Sequence, residues 1–360
     1  MSTSTRSEPI DPNLHDIVLV DQLPEPAWVE GIVVRPCGEV LAARCDSSQL
    51  YRIPSTNLTG CESGEETHNE SSLLHDFSDV GDTINSFVPI TGTGKEEYIL
   101  VTARADWPNV KFFDTTLWRL TFDSPEEGSE PSITKHMEVP DAIFCFGSVA
   151  ISDDILIIAD TAKCCIWRVD ITAKTSSILF SDDASLNPKT KMEIFGINRV
   201  RVEGGYIWYT NHSTGELWRC QVNDIDGGRD IEVVGVPQLV ADGLEHVDGL
   251  NMIKGGSVAF TTSFIGGTLF RIDIDAETGK GEVTTLLSSL ITPTCTQLVY
   301  KEGYEKPFLY FICCGEIPQA TLQRNAAAFE AAAIDTNRIK IVVTVTTEIT
   351  ITYEPVGAAA

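Results

Sequence analysis

The stretch FGINRVRVEGGYIWYTNHSTGELWRCQV, Phe195 to Val222, decides the fold. Its apolar first strand leads through a Glu-Gly-Gly turn (203–205) into YIWYT (206–210), and a second turn (211–215) leads into ELWRCQV (216–222). Short strands with alternating apolar residues, joined by turns rich in Gly and Asn, are typical of antiparallel hairpins. Because one such unit leaves its own faces unburied, it needs similar units packed beside it.

The third strand of this unit recurs along the chain, with an aromatic residue directly before an arginine. The matching segments are QLYRI (49–53), TLWRL (116–120), CIWRV (165–169), ELWRC (216–220) and TLFRI (268–272). A sixth unit without this signature is expected at 294–346. A period of roughly forty to seventy residues suits one four-stranded blade. The sequence therefore predicts an all-β fold, a six-bladed β-propeller whose four-stranded antiparallel blades surround a central channel.

The blade pattern also sets the domain organisation. We expect residues 1–13 to form a disordered or extended tail and residues 14–355 to form a single propeller domain. A strand near 17–20 is expected to pair in the last blade, since ring closure removes exposed sheet edges. Polar composition predicts a long loop at 55–72, and an alanine-rich segment predicts a helical link at 325–333.

Charge and motif content exclude several classes of function. The chain has 26 Lys and Arg against 52 Asp and Glu, a net charge of −26. Nucleic acids and anionic membranes bind clustered cations, so neither is an expected partner. The sequence contains no apolar run of about eighteen residues that would span a membrane. It also lacks the G-x-S-x-G, H-E-x-x-H, P-loop and G-x-G-x-x-G motifs of hydrolases, zincins and nucleotide-binding proteins.

The N-terminal sequence, the sequons and the cysteines indicate in which compartment the protein is found. The polar segment MSTSTRSEPIDPN lacks the apolar core of a signal peptide, so the sequence as written predicts a cytoplasmic protein. Sequons at Asn57, Asn69 and Asn211 leave open a secretory location with a trimmed leader. Most of the ten cysteines lie in apolar, strand-like sequence without a CxxC pair, which predicts buried free thiols rather than disulfides or metal ligands.

The residues that begin the first strand of each blade are the candidate site. In a propeller these strands surround the channel, so residues distant in sequence meet around one axis. Polar side chains at these positions include Glu30, Asn198 and Asp248. Two carboxylates and an amide oxygen are ligands that a hard cation accepts.

The motifs WVEG (28–31), ADTAKCCIWRVD (159–170), GIN (196–198) and VDGL (247–250) resemble the senescence-marker-protein/gluconolactonase superfamily of six-bladed propellers. The resemblance extends from Leu14 to Tyr353 through short motifs. In that family a Glu, an Asn and an Asp bind one divalent cation. The resemblance therefore implies one metal site for Ca²⁺, Mg²⁺ or Zn²⁺, with the ligands Glu30, Asn198 and Asp248.

One departure from the family argues against hydrolysis of sugar lactones. Where lactonases of the family offer Asn-Asp at the start of the third blade, this chain has Phe144-Cys-Phe146-Gly. The connection 103–115, predicted to be a loop, adds Trp107, Phe112 and Phe113. An apolar pocket with few polar groups suits a hydrophobic small molecule better than a hydrated sugar acid.

The chain is also similar to fungal secondary-metabolite members of the superfamily, the hetero-Diels–Alderases of tropolone-sesquiterpenoid pathways. Those enzymes join a quinone methide to a humulene-type alkene in a pericyclic step. This resemblance implies hydrophobic substrates and no required cofactor, and the sequence makes no prediction of the oligomeric state. The alternatives are a lactonase dependent on one divalent cation and a non-catalytic binding propeller.

A pericyclic reaction requires two apolar partners held in a reactive pose, exclusion of water, and a donor near the developing charge. The candidate catalytic residues are Arg104, Asn198 and His246. The candidate substrate-binding residues are Trp28, Ser86, Phe87, Trp107, Phe144, Phe146, Asn211, His212, Phe264, Thr294 and Gln297.

Overall fold

The computed structural model describes residues 17–21, 23, 27–56, 71–109, 111–190, 195–301, 307–314 and 340–345. Strands dominate these residues, and the α-helix among them, α1 (Asp183–Leu186), has a single turn. No helix in this part of the chain has the length and apolar character needed to cross a membrane.

The strands pair into six antiparallel sheets. The chain begins with β1 (Ile17–Asp21), which joins the last sheet. The first sheet contains β2 (Val29–Val34), β3 (Val40–Arg44), β4 (Gln49–Ile53) and β5 (Ser72–Asp76). The second contains β6 (Thr83–Ile90), β7 (Glu96–Asp106), β8 (Lys111–Phe122) and β9 (Ser132–Glu138). The third contains β10 (Cys145–Ala150), β11 (Ile155–Asp160), β12 (Cys165–Asp170) and β13 (Thr175–Phe180).

The fourth sheet has five strands: β14 (Ile197–Glu203), β15 (Tyr206–Asn211), β16 (Glu216–Ile225), β17 (Asp230–Val233) and β18 (Gln238–Ala241), of which β17 and β18 both pair with β16. The fifth contains β19 (Val247–Met252), β20 (Val258–Ser263), β21 (Thr268–Ile274) and β22 (Gly281–Leu287). The last contains β23 (Pro293–Val299), β24 (Phe308–Cys313), β25 (Lys340–Val345) and β1.

The sheets take the predicted β-propeller arrangement. The first strand of each sheet contacts the first strand of the next sheet, and β23 contacts β2. These first strands surround the axis, and apolar side chains fill the spaces between neighbouring sheets. The segments with the aromatic-arginine signature form the third strands, as predicted.

The last sheet combines strands from both ends of the chain. Strand β1 pairs with β25 in antiparallel register, for example Ile17 with Thr344, which confirms the predicted closure. β1 is the outermost strand of this sheet, so β25 lies between two neighbouring strands. The predicted helical link at 325–333 and most of the loop predicted at 55–72 lie outside the described residues.

Glycines in the first strands allow neighbouring blades to approach closely. A Cβ atom at Gly31 would lie 2.8 Å from the Cβ of Phe87, and one at Gly147 would lie 2.7 Å from the Cα of Arg199. Both glycines follow a register shift in the pairing with the second strand of their sheet. The glycine of the WVEG motif is therefore required by packing around the axis.

The connection predicted as a loop at 103–115 is mostly β-structure. Strands β7 and β8 continue past the other strands of their sheet as a long hairpin that turns at Trp107–Asn109. The alternation of its side chains was not recognised in the sequence, because only part of it is apolar. The cysteine prediction is confirmed for the described residues, in which all the cysteines are free thiols.

Candidate functional site

Two arginines of the fourth sheet point into the channel. Along β14, Val200 packs into the core between two sheets, so its neighbours Arg199 and Arg201 lie on the opposite, axial face. Arg199 is almost fully buried, and its guanidinium occupies the centre of the ring.

The guanidinium of Arg199 joins residues from three other sheets. Its Nη2 donates to the carboxylates of Glu30 and Asp248, the second at 3.2 Å. Its Nη1 donates to the main-chain carbonyls of Glu30, at 3.1 Å, and Phe146. The side chains of Arg199, Glu30 and Asp248 are only 5%, 2% and 5% exposed. This is a buried ion-pair triad, in which one cation faces two acids.

Burial changes the acidity of both carboxyl groups. Desolvation, and then the charge of Asp248, raises the pKa of Glu30 from 4.5 to about 8, although Arg199 and the indole N–H of Trp28 oppose this shift. Desolvation also raises the pKa of Asp248, against the effect of Arg199. Burial therefore makes both carboxyl groups weaker acids than usual, and the charge of Arg199 offsets part of this effect.

The predicted metal ligands are brought together only in part. Glu30 and Asp248 meet at the axis, and the Oδ1 of Asn198 is buried there without a hydrogen-bond partner. However, the guanidinium of Arg199 bonds to both carboxylates. The described residues contain no cluster of three His, Cys, Asp or Glu side chains suited to a metal. These oxygen atoms suit an arginine rather than a divalent cation, because the permanently charged guanidinium of Arg199 already forms hydrogen bonds to the carboxylates of Glu30 and Asp248.

On one side of the triad lies a set of packed rings, which we call the aromatic cluster. Its members are Trp28, Trp107, Phe112, Phe144, Phe146, Phe195 and Phe264. The rings of Phe112 and Phe144 are stacked, with centroids 3.4 Å apart, and Trp28 lies 5.9 to 6.4 Å from Trp107, Phe146 and Phe264. The cluster thus contains five of the six aromatic residues predicted to bind substrate, and the sixth, Phe87, lies elsewhere.

Two local features hold the cluster in place. The carboxylate of Asp160 accepts the main-chain N–H groups of Ile143 and Phe144 at 2.8 and 3.1 Å, which fixes the start of the third blade. In the long hairpin, Ala105 is paired with Phe112, and both pack against the cluster. The tip of the hairpin therefore covers this end of the channel.

Two histidines border the cluster. The rings of His212 and His246 lie 5.1 Å apart, and His212 also contacts Phe195 and Phe264. Desolvation, and then the proximity of His246, lowers the pKa of His212 to about 3. The imidazole of His212 is therefore neutral at physiological pH and keeps one N–H donor.

Three predicted residues are held away from the cluster. Arg104 forms an ion pair with Asp82 at 3.4 Å and donates to the carbonyl of Asp79 at 2.7 Å. Asn211 donates to two main-chain carbonyls of the α1 region, and Thr294 donates to the carbonyl of Val29 at 2.7 Å. The polar groups of Arg104, Asn211 and Thr294 are thus bonded within the fold in this structure, and the catalytic role of Arg104 and the binding roles of Asn211 and Thr294 stay predictions.

The other side of the triad opens into a cavity, which we call the polar pocket. Its residues lie further along the same first strands, and the space that they enclose is about 350 Å³, including the part open to solvent. Three of the predicted substrate-binding residues, Ser86, Phe87 and Gln297, lie here and not at the aromatic cluster. Arg199 therefore separates an aromatic end of the channel from a polar end.

Arg199 and Arg201 were missed in the sequence. Both follow Asn198 in a strand where valines alternate with arginines, NRVRVE. Because the valines must face the core between blades, the arginines had to face the axis. The alternation of valine and arginine was therefore the sequence signal that could have placed both arginines at the axis.

The fold is shared with several solved structures. A luciferin-regenerating enzyme has a TM-score of 0.60 and 10% identity over 92% of this chain and 95% of its own. A calcium-binding protein, regucalcin, from Agrobacterium tumefaciens has a TM-score of 0.56 and 12% identity over 91% and 93%. The PQQ-bound aldose sugar dehydrogenase of Streptomyces coelicolor has a TM-score of 0.51 and 10% identity over 92% and 99%.

No family model and no curated protein matches the sequence. At such low identities the structural likeness establishes the fold alone. The chain therefore has the β-propeller fold predicted from the resemblance, in common with regucalcin and with propeller enzymes. The relation to fungal hetero-Diels–Alderases stays a prediction.

Proposed function

We propose that this protein is a pericyclase, an enzyme that joins two apolar reactants at the aromatic end of its channel. The observation that carries the proposal is the aromatic cluster at the place where lactonases hold a polar substrate. Phe144 and Phe146 are only 1% and 3% exposed, and Trp28 and Phe112 pack against them. Such walls exclude water and offer planar faces to a conjugated reactant.

The reaction is a hetero-Diels–Alder addition. The four π electrons of an enone unit in a quinone methide and the two π electrons of an alkene form one C–C and one C–O bond. No proton, electron or leaving group is transferred, so the protein needs neither a nucleophile nor a redox cofactor. Holding both reactants in a reactive pose contributes up to about 7–11 kcal/mol in well-oriented systems.

His212 is the best-placed donor for the carbonyl oxygen of the quinone methide. It borders the cluster, and its Nδ1 is buried without a hydrogen-bond partner among the described residues, so in the tautomer that carries the proton on Nδ1 it donates to an oxygen on which negative charge develops. His246, a predicted catalytic residue, accepts the main-chain N–H of Phe264 through its carbonyl at 3.0 Å and so positions that ring.

Because the cluster is tightly packed, reactants must separate the hairpin from the rings beneath it. Trp107, at the hairpin turn, is only half-buried, whereas Phe112 stacks on Phe144. We propose that the hairpin moves aside for substrates and then closes over them, which excludes water during the reaction.

The number of blades and the identity of the substrates are proposed from the sequence resemblance. We propose a six-bladed propeller spanning residues 14–355, with a tropolone-type quinone methide and a humulene-type sesquiterpene as substrates in fungal secondary metabolism. The lactonase alternative requires a divalent cation that polarises an ester and activates water. The bonds of Arg199 to both expected acidic ligands speak against it.

The proposal is tested with protein treated with a chelator and then freed of it. The protein is incubated with a quinone methide generated in situ and humulene, and separately with a sugar lactone. We expect the cycloadduct to form faster and with higher stereoselectivity than without protein, with no effect of the chelator. Lactone hydrolysis that stops with the chelator and returns with Ca²⁺ would overturn the proposal, as would cycloaddition at the uncatalysed rate.

A matched pair of variants locates the reaction. Phe112 and Phe113 are adjacent on the same hairpin, but Phe112 packs in the cluster whereas Phe113 is 47% exposed. F112A should lower kcat/KM at least tenfold, and F113A should leave it within twofold. Circular dichroism of both variants controls for folding. Equal effects of the two substitutions would place the reaction away from the cluster.

A further inference from the structure

We propose that the polar pocket is a binding site for a small carboxylate, held by the guanidinium of Arg201. The pocket lies across Arg199 from the aromatic cluster. The inference therefore stands independently of the pericyclase proposal.

Arg201 is a cation without an acidic partner among the described residues. Its Nη1 donates to the main-chain carbonyls of Val200 at 2.8 Å and Ser148 at 3.3 Å. None of the ion pairs in that part of the chain includes it. Desolvation, and then the charge of Arg199, lowers its pKa to about 10, as expected where a counter-anion is missing.

The pocket also supplies uncharged donors near Arg201. The hydroxyl groups of Ser86 and Ser148 lie 2.5 Å apart, and both residues line the pocket. The hydroxyl of Thr296 is buried without a hydrogen-bond partner. Within the described part of the chain, the amide of Gln297 donates to the main-chain carbonyl of Leu298 alone, at 3.4 Å. A planar carboxylate can accept bonds from a guanidinium and from hydroxyl groups together.

The local charge favours an anion although the whole chain is acidic. The acid that lines the pocket is Glu30, whose carboxyl group is bonded to Arg199 and not to Arg201. Asp248 is also paired with Arg199, so among the described residues neither acid contacts the guanidinium of Arg201. The net charge of −26 opposes multiply charged anions, which favours a monocarboxylate over phosphate.

The remaining walls indicate the rest of the ligand. Leu250, Ile32 and Phe87 also line the pocket and give it an apolar side. Because the pocket opens to solvent, it can take a carboxylate with a short hydrocarbon part or the acid end of a larger molecule that extends outward.

The site is tested on the full chain by isothermal titration calorimetry with sodium acetate, sodium butyrate and sodium phosphate at constant ionic strength. We expect saturable binding of the two carboxylates, with butyrate tighter than acetate, and weaker binding of phosphate. Tighter phosphate binding would overturn the carboxylate assignment in favour of an oxyanion site. Absence of saturation with all three anions would overturn the site itself.

Variants assign the binding to Arg201. R201Q should weaken butyrate binding at least tenfold, and R201K should weaken it less, since the charge is kept but the forked geometry is lost. R229Q is the matched control, because Arg229 is 55% exposed and pairs with Asp153 and Asp154 at the surface. If R201Q does not fold, T296V replaces it, with a loss of at least threefold expected. Unchanged affinity in the folded variant would refute the proposal.

Discussion

Replacing Arg199 by methionine should destabilise the folded protein by about 3–5 kcal/mol, the usual cost of removing one partner from a buried ion pair. Methionine keeps most of the volume but removes the charge. Attraction across the 3.2 Å between Arg199 and Asp248 is about 5 kcal/mol at an effective dielectric constant of 20. The carbonyls of Glu30 and Phe146 also lose a charged donor.

The measurement is urea denaturation followed by tryptophan fluorescence at pH 7. A triple variant, R199M with E30Q and D248N, removes all three charged groups of the triad. It should recover most of the lost stability, because no unpaired charge is then buried. R229M serves as the surface control and should leave the midpoint unchanged, since Arg229 is exposed. A triple variant as unstable as R199M would refute the charge argument.

The same residue decides whether the channel binds a metal. In R199A, the carboxylates of Glu30 and Asp248 and the amide of Asn198 are released for a cation. We expect Ca²⁺ or Mn²⁺ at millimolar concentration to raise the Tm of R199A, because a ligand of the native state stabilises it. The parent protein should not respond. An equal rise in the Tm of the parent protein would refute the conclusion that Arg199 replaces the metal.

Three further predictions concern stability. The free energy of unfolding should fall as the pH rises from about 4.5 to 8, because burial raises the pKa of Glu30 in the folded state above its value in the unfolded state. Urea titrations at several pH values measure this fall, and E30Q should flatten it. G147A should cost about 1–3 kcal/mol in urea, as the new methyl group meets the backbone of Arg199. R35M should cost about 3–5 kcal/mol by the same assay, since Arg35 is buried against Glu39 and Glu96.

Most of the fold was predictable because it is periodic. The aromatic-arginine pair marks five third strands, and in the third sheet it has a clear role: Arg168 bonds to Asp230 of the fourth sheet at 2.7 Å. Pairing of β1 in the last sheet followed from the need to cover edge strands. The long hairpin was missed because it departs from the repeat, and its Trp-Pro-Asn turn was not recognised.

The site was predictable where it depends on position in the repeat. Trp28, Phe144 and Phe146 lie where the first strands of their blades begin. Because first strands surround the axis, their position in the repeat was enough to predict that they meet there. Partners of individual polar groups did not follow from the repeat. Arg104 lies on the outer face of the hairpin and is bonded to Asp82, which depends on the register of strands that were predicted to be loop.

The central arginine changes what this channel can do. Arg199 lies in β14 and bonds to Glu30 in β2, Phe146 in β10 and Asp248 in β19, so a single side chain connects four of the six sheets across the axis. A metal ion at this position would be exchangeable, whereas the guanidinium is part of the chain and keeps its charge at every physiological pH. Because its donors are directed at protein groups, it contributes a fixed centre rather than an open coordination site. In the two proposals, the groups that act are side chains, which are the rings and imidazoles at one end of the channel and Arg201 at the other.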